Sequence, residues 1–496
     1  MVASATRTAT DTGPVLEVDT LVIGAGPSGL TAADRLMAAG HHTLVIERSM
    51  EIGGLMRSLR RGPFRVDLGR KELYSRIPEI DTLWRTLLGE EYRPYSHRVG
   101  SLFGGRILEM SGGPRGAMRG IPPELLVPGA FDLLRGWVGA TLRKPWNYES
   151  FWYARVGRSF AQALAQGYWE KFRGQRWRDM PVPDELADGQ AIGSQSFAAI
   201  VHGLRLAARG GPTQHAEWRH PRLGTGQLPE TLAARFERSG GTLRLQTEAV
   251  ALALRPDRRV EATIVGGGAT TRCIARNLVS SQPVEALIAL LDPAAAPPEP
   301  DPASTRAVML VYLFLDERPR FPHAWLEVND PKLDCGRITN YAAFGGAMVP
   351  EGATALCVET FLQGDDPRLA WSESEWIDRA VTECTSNGLI DPGRLTDTMV
   401  LRLDRCNAAA SWREAQDNMR RELFQRLHAF PAVYHVHRPG TDWASFAGLR
   451  AAEAILTGDR RSFDRRADPA RSYSVANNAH DDEEGEADAP CTIYAQ

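Results

Sequence analysis

The sequence predicts an α/β fold: a nucleotide-binding domain with a parallel sheet, a helical insertion, and a second, mixed α+β domain. Three observations carry this. The apolar run Thr20–Ile23 is followed at once by Gly24-Ala25-Gly26-Pro27-Ser28-Gly29 and a helical pattern to Ala39. A second apolar run, His42–Ile46, ends at the acid Glu47. Later, Pro221–Leu228 again places turn glycines before a helix, and Tyr434–Gly440 reads as a strand leading into a turn.

Each part of the opening unit has a physical task. Gly24 makes the tight turn, Gly26 lets the backbone approach a pyrophosphate, and Gly29 lets helix and strand pack closely. The free amides at the helix start, aided by the helix dipole, face phosphate oxygens. Glu47 lies where an acid accepts bonds from ribose hydroxyls. This is a Rossmann-like pattern.

The 496 residues suffice for two domains with large cores. Hydrophobic content of 43% and charged content of 24% are those of an ordinary globular protein. A formal net charge of −3 offers no broad basic field for nucleic acid or an acidic membrane. Cys273, Cys335, Cys357, Cys384, Cys406 and Cys491 are scattered, so neither a zinc site nor a disulfide framework is indicated, which suits a reducing cytoplasm. No run approaches the roughly 20 apolar residues of a membrane span. Residues 1–16 read as a disordered leader, and residues 459–496, first basic and then acidic, as a disordered tail.

Between these ends, Ile77–Leu88 reads as an amphipathic helix and Arg98–Met110 as a hairpin turning at Gly104-Gly105. Asn147 is placed to cap a long helix through Phe172. Glu230–Arg238 is helical, and Thr242–Leu245 is a strand. Val308–Leu315, Gly336–Tyr341 and Ala355–Phe361 have strand character. Trp376–Cys384 is a helix behind a Ser372/Glu375 capping box. Ala447–Leu456 is the last helix.

The order Glu47-Arg48, Gly53-Gly54-Leu55-Met56-Arg57-Ser58 and Asp67-Leu68-Gly69 resembles the flavoprotein superfamily of amine oxidases, protoporphyrinogen oxidase, phytoene desaturases and UDP-galactopyranose mutase. Pro221–Leu228, Thr247-Glu248-Ala249-Val250 and Leu278–Pro283 extend the likeness, which runs from about residue 17 to 458. It implies a Rossmann-like FAD-binding domain from residues 17–75, 215–290 and 405–458. A mainly helical substrate or cap region, 76–214, and a sheet-containing substrate domain, 291–404, complete the chain. The implied cofactor is FAD. Gly24, Ala25, Gly26, Pro27, Ser28 and Gly29 would hold its pyrophosphate, with Glu47 and Arg48 beside the adenosine ribose. Gly54, Leu55 and Arg57 would lie along the pyrophosphate and ribityl chain. Leu68, Gly69 and Gly440 would lie near the ring, and the Val250 backbone would meet the adenine.

Two departures stand out. The family's Gly-Gly-His after Asp-Leu is Gly69-Arg70-Lys71 here, and its last turn is His437-Arg438-Pro439-Gly440. Lys71 or Arg70 is therefore the candidate cation beside the ring, and His437 the candidate proton carrier. Trp218, Arg219 and His220 are placed to line a pocket. The resemblance implies an FAD-dependent oxidoreductase acting on an amine, a sugar or an unsaturated metabolite. Two alternatives stay open: a non-redox mutase of nucleotide-sugars, with Arg155, Arg158 and Arg173 for a diphosphate, or an inactive flavin-binding partner. A homodimer or a partner enzyme also stays open.

Overall fold

The computed structural model describes residues 15–75, 77–111, 122–142, 145–182, 218–345, 347–404, 413–438 and 440–466. Residues 1–14 of the expected leader, 467–496 of the expected tail, and Cys406 and Cys491 lie outside them.

Val15–Ile23 is the centre of a seven-stranded sheet, paired in parallel with Thr43–Ile46 on one side and Ala269–Ser280 on the other. Thr242–Arg244 extends it in parallel beyond Thr43–Ile46, and Val433–His435 pairs in parallel with the end of Ala269–Ser280. Thr247–Leu254 and Val260–Gly266 form an antiparallel edge. Side chains alternate between two buried faces. Val22, Val45 and Val279 join one core, while Leu21, Ile23, Leu44, Ile46 and Leu278 join the other. Both faces are covered, as a parallel sheet requires.

The helices Pro27–Ala38, Gln227–Arg238 and Thr441–Thr457 cover the first face. Pro27–Ala38 and Thr441–Thr457 touch backbone to backbone, because a Cβ on Gly448 would lie 2.1 Å from the Ser28 carbonyl oxygen. Val284–Leu291 and Arg413–Leu427 lie on the opposite face.

A second seven-stranded sheet runs Leu395–Leu403, Arg306–Leu315, Thr354–Gln363, Arg337–Asn340, Trp325–Val328, Val99–Phe103 and Arg106–Glu109. One face packs on the helix Glu373–Ser386 through Trp376, Ala380 and Cys384. The other meets Val66 and Leu68 of the nucleotide domain through Leu310, Tyr312, Trp325 and Tyr341. Ser372 and Glu375 form the capping box at the start of that helix.

Four expectations are corrected. The hairpin 99–109 belongs to the second sheet, because Val99–Leu102 pairs in parallel with Trp325–Val328 and thereby buries its apolar residues. The first strand begins at Val15, inside the stretch expected as leader, because Val15–Val18 still has a partner in Arg272–Ala275. Arg461–Arg466 is helical rather than disordered, since Phe463 is buried against Tyr434. The long helix behind Asn147 breaks at Gly157, whose φ is +78° and where a Cβ would lie 2.9 Å from the Leu133 nitrogen. It continues as Arg158–Ala161, one π-helical stretch Gln162–Gln166, and Gly167–Arg173.

Candidate functional site

Three glycine-bearing segments meet at the C-terminal ends of the parallel strands. Gly24 has φ +100°, and a Cβ there would lie 2.1 Å from Ser281 Oγ. A Cβ on Gly29 would lie 2.0 Å from the Gly24 carbonyl oxygen, so close helix–strand packing requires glycine. Gly26 differs: a Cβ there would meet nothing within 4 Å. The backbone at Gly26 faces open space, where the helix starts with Pro27 as its first residue. The amides of Ser28 and Gly29 precede the first intrahelical donor, because Leu30 N–H is the first to bond within the helix, to Gly26 O.

The other two segments stand beside this turn. Gly53 N–H donates to Ala25 O at 2.7 Å, and a Cβ on Gly54 would lie 3.8 Å from Gly26 Cα. Arg57 is tied down locally, Nη1 donating to Gly54 O at 3.0 Å and Nε lying 3.5 Å from Glu51. Gly440, with φ +81°, starts the helix Thr441–Thr457, and Thr441 Oγ1 lies 3.0 Å from Met56 Sδ. Two helix N-termini thus open beside the Gly53-Gly54 turn.

Glu47 bridges turn and strand. Its Oε2 accepts from Ala25 N–H and its Oε1 from Ser49 N–H, both at 2.9 Å. Each oxygen keeps a further lone pair. Thr247 N–H donates to Glu47 O at 2.9 Å, which brings the strand of Val250 alongside. Val250 sits at the ladder's irregularity between Ala249 and Ala251, where no residue of the neighbouring strand is paired with it. Arg48 and Leu55 are exposed.

Asp67 joins the nucleotide turn to the Pro221–Leu228 segment. It accepts from Ser58 Oγ–H at 2.5 Å and from Thr225 N–H at 3.1 Å, while Gly226 N–H donates to Ser58 Oγ. Tyr312 and Tyr341 donate to the Asp67 carbonyl at 2.8 and 2.7 Å, and Gly69 N–H reaches Tyr312 Oη at 3.2 Å. Leu68 and Gly69 are therefore held by the second sheet.

Beyond Gly69 lies a buried charged row that motif reading missed. Ser101, Glu327, Arg337 and Glu359 are register partners on four adjacent strands. Arg337 meets Glu359 in a two-pronged pair, Nε–Oε1 at 3.0 Å and Nη2–Oε2 at 2.6 Å, and also reaches Tyr168 Oη at 3.2 Å. Thr339 Oγ1 and the Arg70 N–H donate to the same Glu359 oxygen. The Arg70 guanidinium pairs with Glu72 and lies 4.3 Å above the Trp325 ring. Glu72 Oε1 also meets His97 Nε2 at 2.9 Å, and His97 stacks on Trp218 at 3.9 Å. Glu327 has no hydrogen-bond donor among the described residues. Burial pushes its pKa up to about 7, against the pull of Arg70 and Arg337. A signal was present: Glu327 and Glu359 each interrupt an apolar strand run, and a charge in such a run is rarely without purpose.

The remaining candidates fall as follows. Lys71 is partly buried and its charge acts on Glu359. Arg70 is committed to Glu72 and Trp325, which leaves Lys71 as the candidate cation of the pair. His437 is exposed, though other residues crowd its ring. Burial by those residues, then Arg438, hold its pKa below the ordinary value despite the bond to Ser281 O. Its Nδ1 lies 3.1 Å from that carbonyl, so the neutral ring donates through Nδ1 and presents Nε2 as acceptor. Arg219 donates to Tyr92 O, and His220 is fully buried beside Asp67, so both are structural. Arg155, Arg158 and Arg173 each lie over an aromatic ring of the cap: Phe151, Tyr153 and Trp169.

A sequence profile for the NAD(P)-binding Rossmann-like domain matches residues 22–84. Among solved structures, reduced UDP-galactopyranose mutase superposes with a TM-score of 0.71 at 18% identity, covering 92% of this chain and 98% of that one. A protoporphyrinogen oxidase-type protein from Exiguobacterium sp. 255-15 gives 0.66 at 18% identity, covering 89% and 99%. The chain has the fold that these two proteins share. Putrescine oxidase shares this fold at a TM-score of 0.53 and 14% identity, covering 90% of this chain and 100% of that one. At sequence level, 4,4'-diapophytoene desaturase of Staphylococcus aureus (strain bovine RF122 / ET3-1) is 34% identical over 74 residues. That stretch is 15% of this chain and spans only 14% of the desaturase. The likeness of fold thus covers about nine-tenths of the chain, while the desaturase matches 74 residues of it.

Proposed function

We propose that the chain binds FAD and is an FAD-dependent oxidoreductase that oxidises a small molecule. The observation that carries this reading is the meeting of two glycine-led helix N-termini, the Gly53-Gly54 turn and the Glu47 carboxylate at one pole of the sheet. The donor set suits a dinucleotide. Open space in front of Gly26 and the amides of Ser28 and Gly29 suit a pyrophosphate, and the helix dipoles favour its charge. The free lone pairs of Glu47 suit ribose hydroxyls. The unpaired backbone of Val250 suits an adenine edge.

FAD, when bound, would supply the electron sink for a hydride equivalent. The chain's own groups do the rest. The Tyr312 and Tyr341 hydroxyls hold the Gly69 turn in position. Lys71 keeps positive charge beside that turn. His437, neutral and fixed through Nδ1 on Ser281 O, takes a proton at Nε2. The buried row Glu327–Arg337–Glu359 backs the Gly69–Arg70 segment, Glu359 holding the Arg70 N–H and Arg337 reaching Tyr168.

The first test is the visible absorption of the purified protein. Flavin bands, with FAD released on heat denaturation, are expected; a colourless protein that takes up no added FAD would overturn the reading. Bleaching of the bands by an added amine, sugar or unsaturated metabolite then identifies the oxidoreductase. Turnover of a nucleotide-sugar only after dithionite reduction would identify a mutase instead. Bound FAD with neither outcome would identify an inactive partner.

A further inference from the structure

Two buried polar groups beside the Gly69 turn lack partners, and they are of opposite kind. Arg70 turns Nη2 to Glu72 and its backbone N–H to Glu359, but its Nε–H, shut off from water, donates to nothing. Glu327 is 7% exposed and accepts a hydrogen bond from no described residue. Its neighbours in register are engaged elsewhere. Ser101 Oγ–H donates to Ala163 O at 2.6 Å and Ser101 Oγ accepts from Asn329 Nδ2–H at 2.8 Å. Arg337 turns Nε and Nη2 to Glu359 and Nη1 to Tyr168 Oη. A buried donor and a buried acceptor left unmade are each costly, so each marks a place for an occupant. The two groups belong to one cluster. The Arg70 guanidinium lies 4.3 Å over the Trp325 ring. Glu327 follows Trp325 by two residues on the same face of the strand, roughly 7 Å along it. Arg70 is also the charge that acts on Glu327 most.

The chemistry of the pair selects the occupant. It must accept from Arg70 Nε–H and donate to a Glu327 oxygen. An ammonium only donates, a carboxylate only accepts, and an alkene does neither, whereas a hydroxyl does both. Charge agrees. Among the described residues Arg70, Lys71 and Arg337 offset Glu72, Glu327 and Glu359, so the cluster favours a neutral group. Trp325 and His97, the latter stacked on Trp218, bring aromatic rings to the same cluster, which suits an apolar body attached to that group. Resting on the reading that the Gly69 turn stands near a bound flavin ring, we propose that Arg70 Nε and the Glu327 carboxyl form a subsite for a neutral hydroxyl of the substrate. The substrate is then an alcohol-bearing molecule rather than an amine or an unsaturated hydrocarbon.

The test compares four probes built on one six-membered ring: cyclohexanol, cyclohexylammonium, cyclohexanecarboxylate and cyclohexene. Their binding to the full chain is measured by ligand-observed NMR, which needs no flavin signal, and FAD content is scored separately by absorption. Cyclohexanol should bind about tenfold more tightly than each of the others. Glu327→Leu and Arg70→Met, which each remove one partner, should weaken cyclohexanol binding about tenfold, whereas Glu327→Gln, which keeps an acceptor, should stay within about threefold of the parent. The proposal is overturned if another probe binds best, if none binds, or if neither Glu327→Leu nor Arg70→Met changes cyclohexanol binding. The last result would assign the two groups to a resident water. If Arg70→Met does not fold, the contrast between Glu327→Leu and Glu327→Gln decides alone. A colourless protein that prefers cyclohexanol would count against the flavin reading and support the hydroxyl subsite. A flavin-bearing protein with no preference would do the reverse.

Discussion

Arg337 and Glu359 face one another from adjacent strands, buried, joined by two hydrogen bonds and set directly behind the backbone of Arg70. A Cβ on Gly69 would lie 3.0 Å from Glu359 Oε2, so this ion pair also shapes the turn that leads out of the nucleotide domain. Removing one partner leaves the other charge buried and unpaired. Arg337→Met or Glu359→Gln is expected to cost about 3–5 kcal/mol in chemical denaturation, and replacing both by apolar residues of similar size much less. A double-variant cost equal to the sum of the two single costs would show that the pair is not coupled.

The glycines divide into two groups by what a Cβ would meet. Gly29→Ala collides with the Gly24 carbonyl and should destabilise the fold by about 1–3 kcal/mol. Gly26→Ala meets only open space, so the thermal midpoint of the cofactor-free protein should stay unchanged. FAD affinity, titrated by fluorescence, should nevertheless fall. Unaltered FAD affinity in Gly26→Ala would mean that the open space is not where the pyrophosphate lies.

Glu47→Ala removes the acceptor of two backbone amides and, in the proposed complex, of the ribose hydroxyls. Leaving such donors unpaired costs about 1–3 kcal/mol. The variant should bind FAD at least about tenfold more weakly, by the conversion of 1.4 kcal/mol per decade. Isothermal titration measures this directly.

Glu327 predicts a pH signature. Its folded pKa is raised to about 7 by burial, above the unfolded value near 4.5, so the folded state holds the proton more tightly. Its contribution is therefore favourable below the unfolded value and is lost as pH rises through the folded one. Between about pH 4.5 and 7 the parent should lose up to about 3 kcal/mol relative to Glu327→Gln. Denaturation of both proteins across that range, read as a difference, isolates the effect from other titrating groups. A flat difference would place the carboxyl in contact with solvent or a donor.

Lys71→Met and His437→Ala separate two roles in the proposed reaction. Each should slow flavin reduction by substrate, on the order of 100-fold for loss of a positioned proton carrier at His437. FAD affinity should change little. Stopped-flow reduction and FAD titration together check this, and a large loss of affinity alone would make either residue a cofactor ligand.

Much of the candidate site was legible in the residues from Thr20 to Gly69. Its parts are local: a glycine with φ +100°, a helix starting at Pro27, and an acid ending the next strand leave marks at fixed spacing. The capping residues Asn147 and Ser372 were legible for the same reason. The break at Gly157 was not, because the long helical pattern continues across it and only the close approach of Leu133 requires glycine there. The hairpin 99–109 could not be assigned to a sheet, since alternation shows a strand but not its neighbour.

By itself, then, the sequence determined the fold class, the glycine-turn unit and most helix boundaries, because backbone geometry and side-chain periodicity act over a few residues. Only the tertiary structure decided what stands beyond that turn. Arg70 bonds to Glu359 across 289 residues of chain, Tyr341 reaches Gly69 across 272, and Glu327 meets Arg337 only through strand register. Such contacts depend on how two sheets pack, and a charge in an apolar strand reveals its purpose only when its partner is brought beside it.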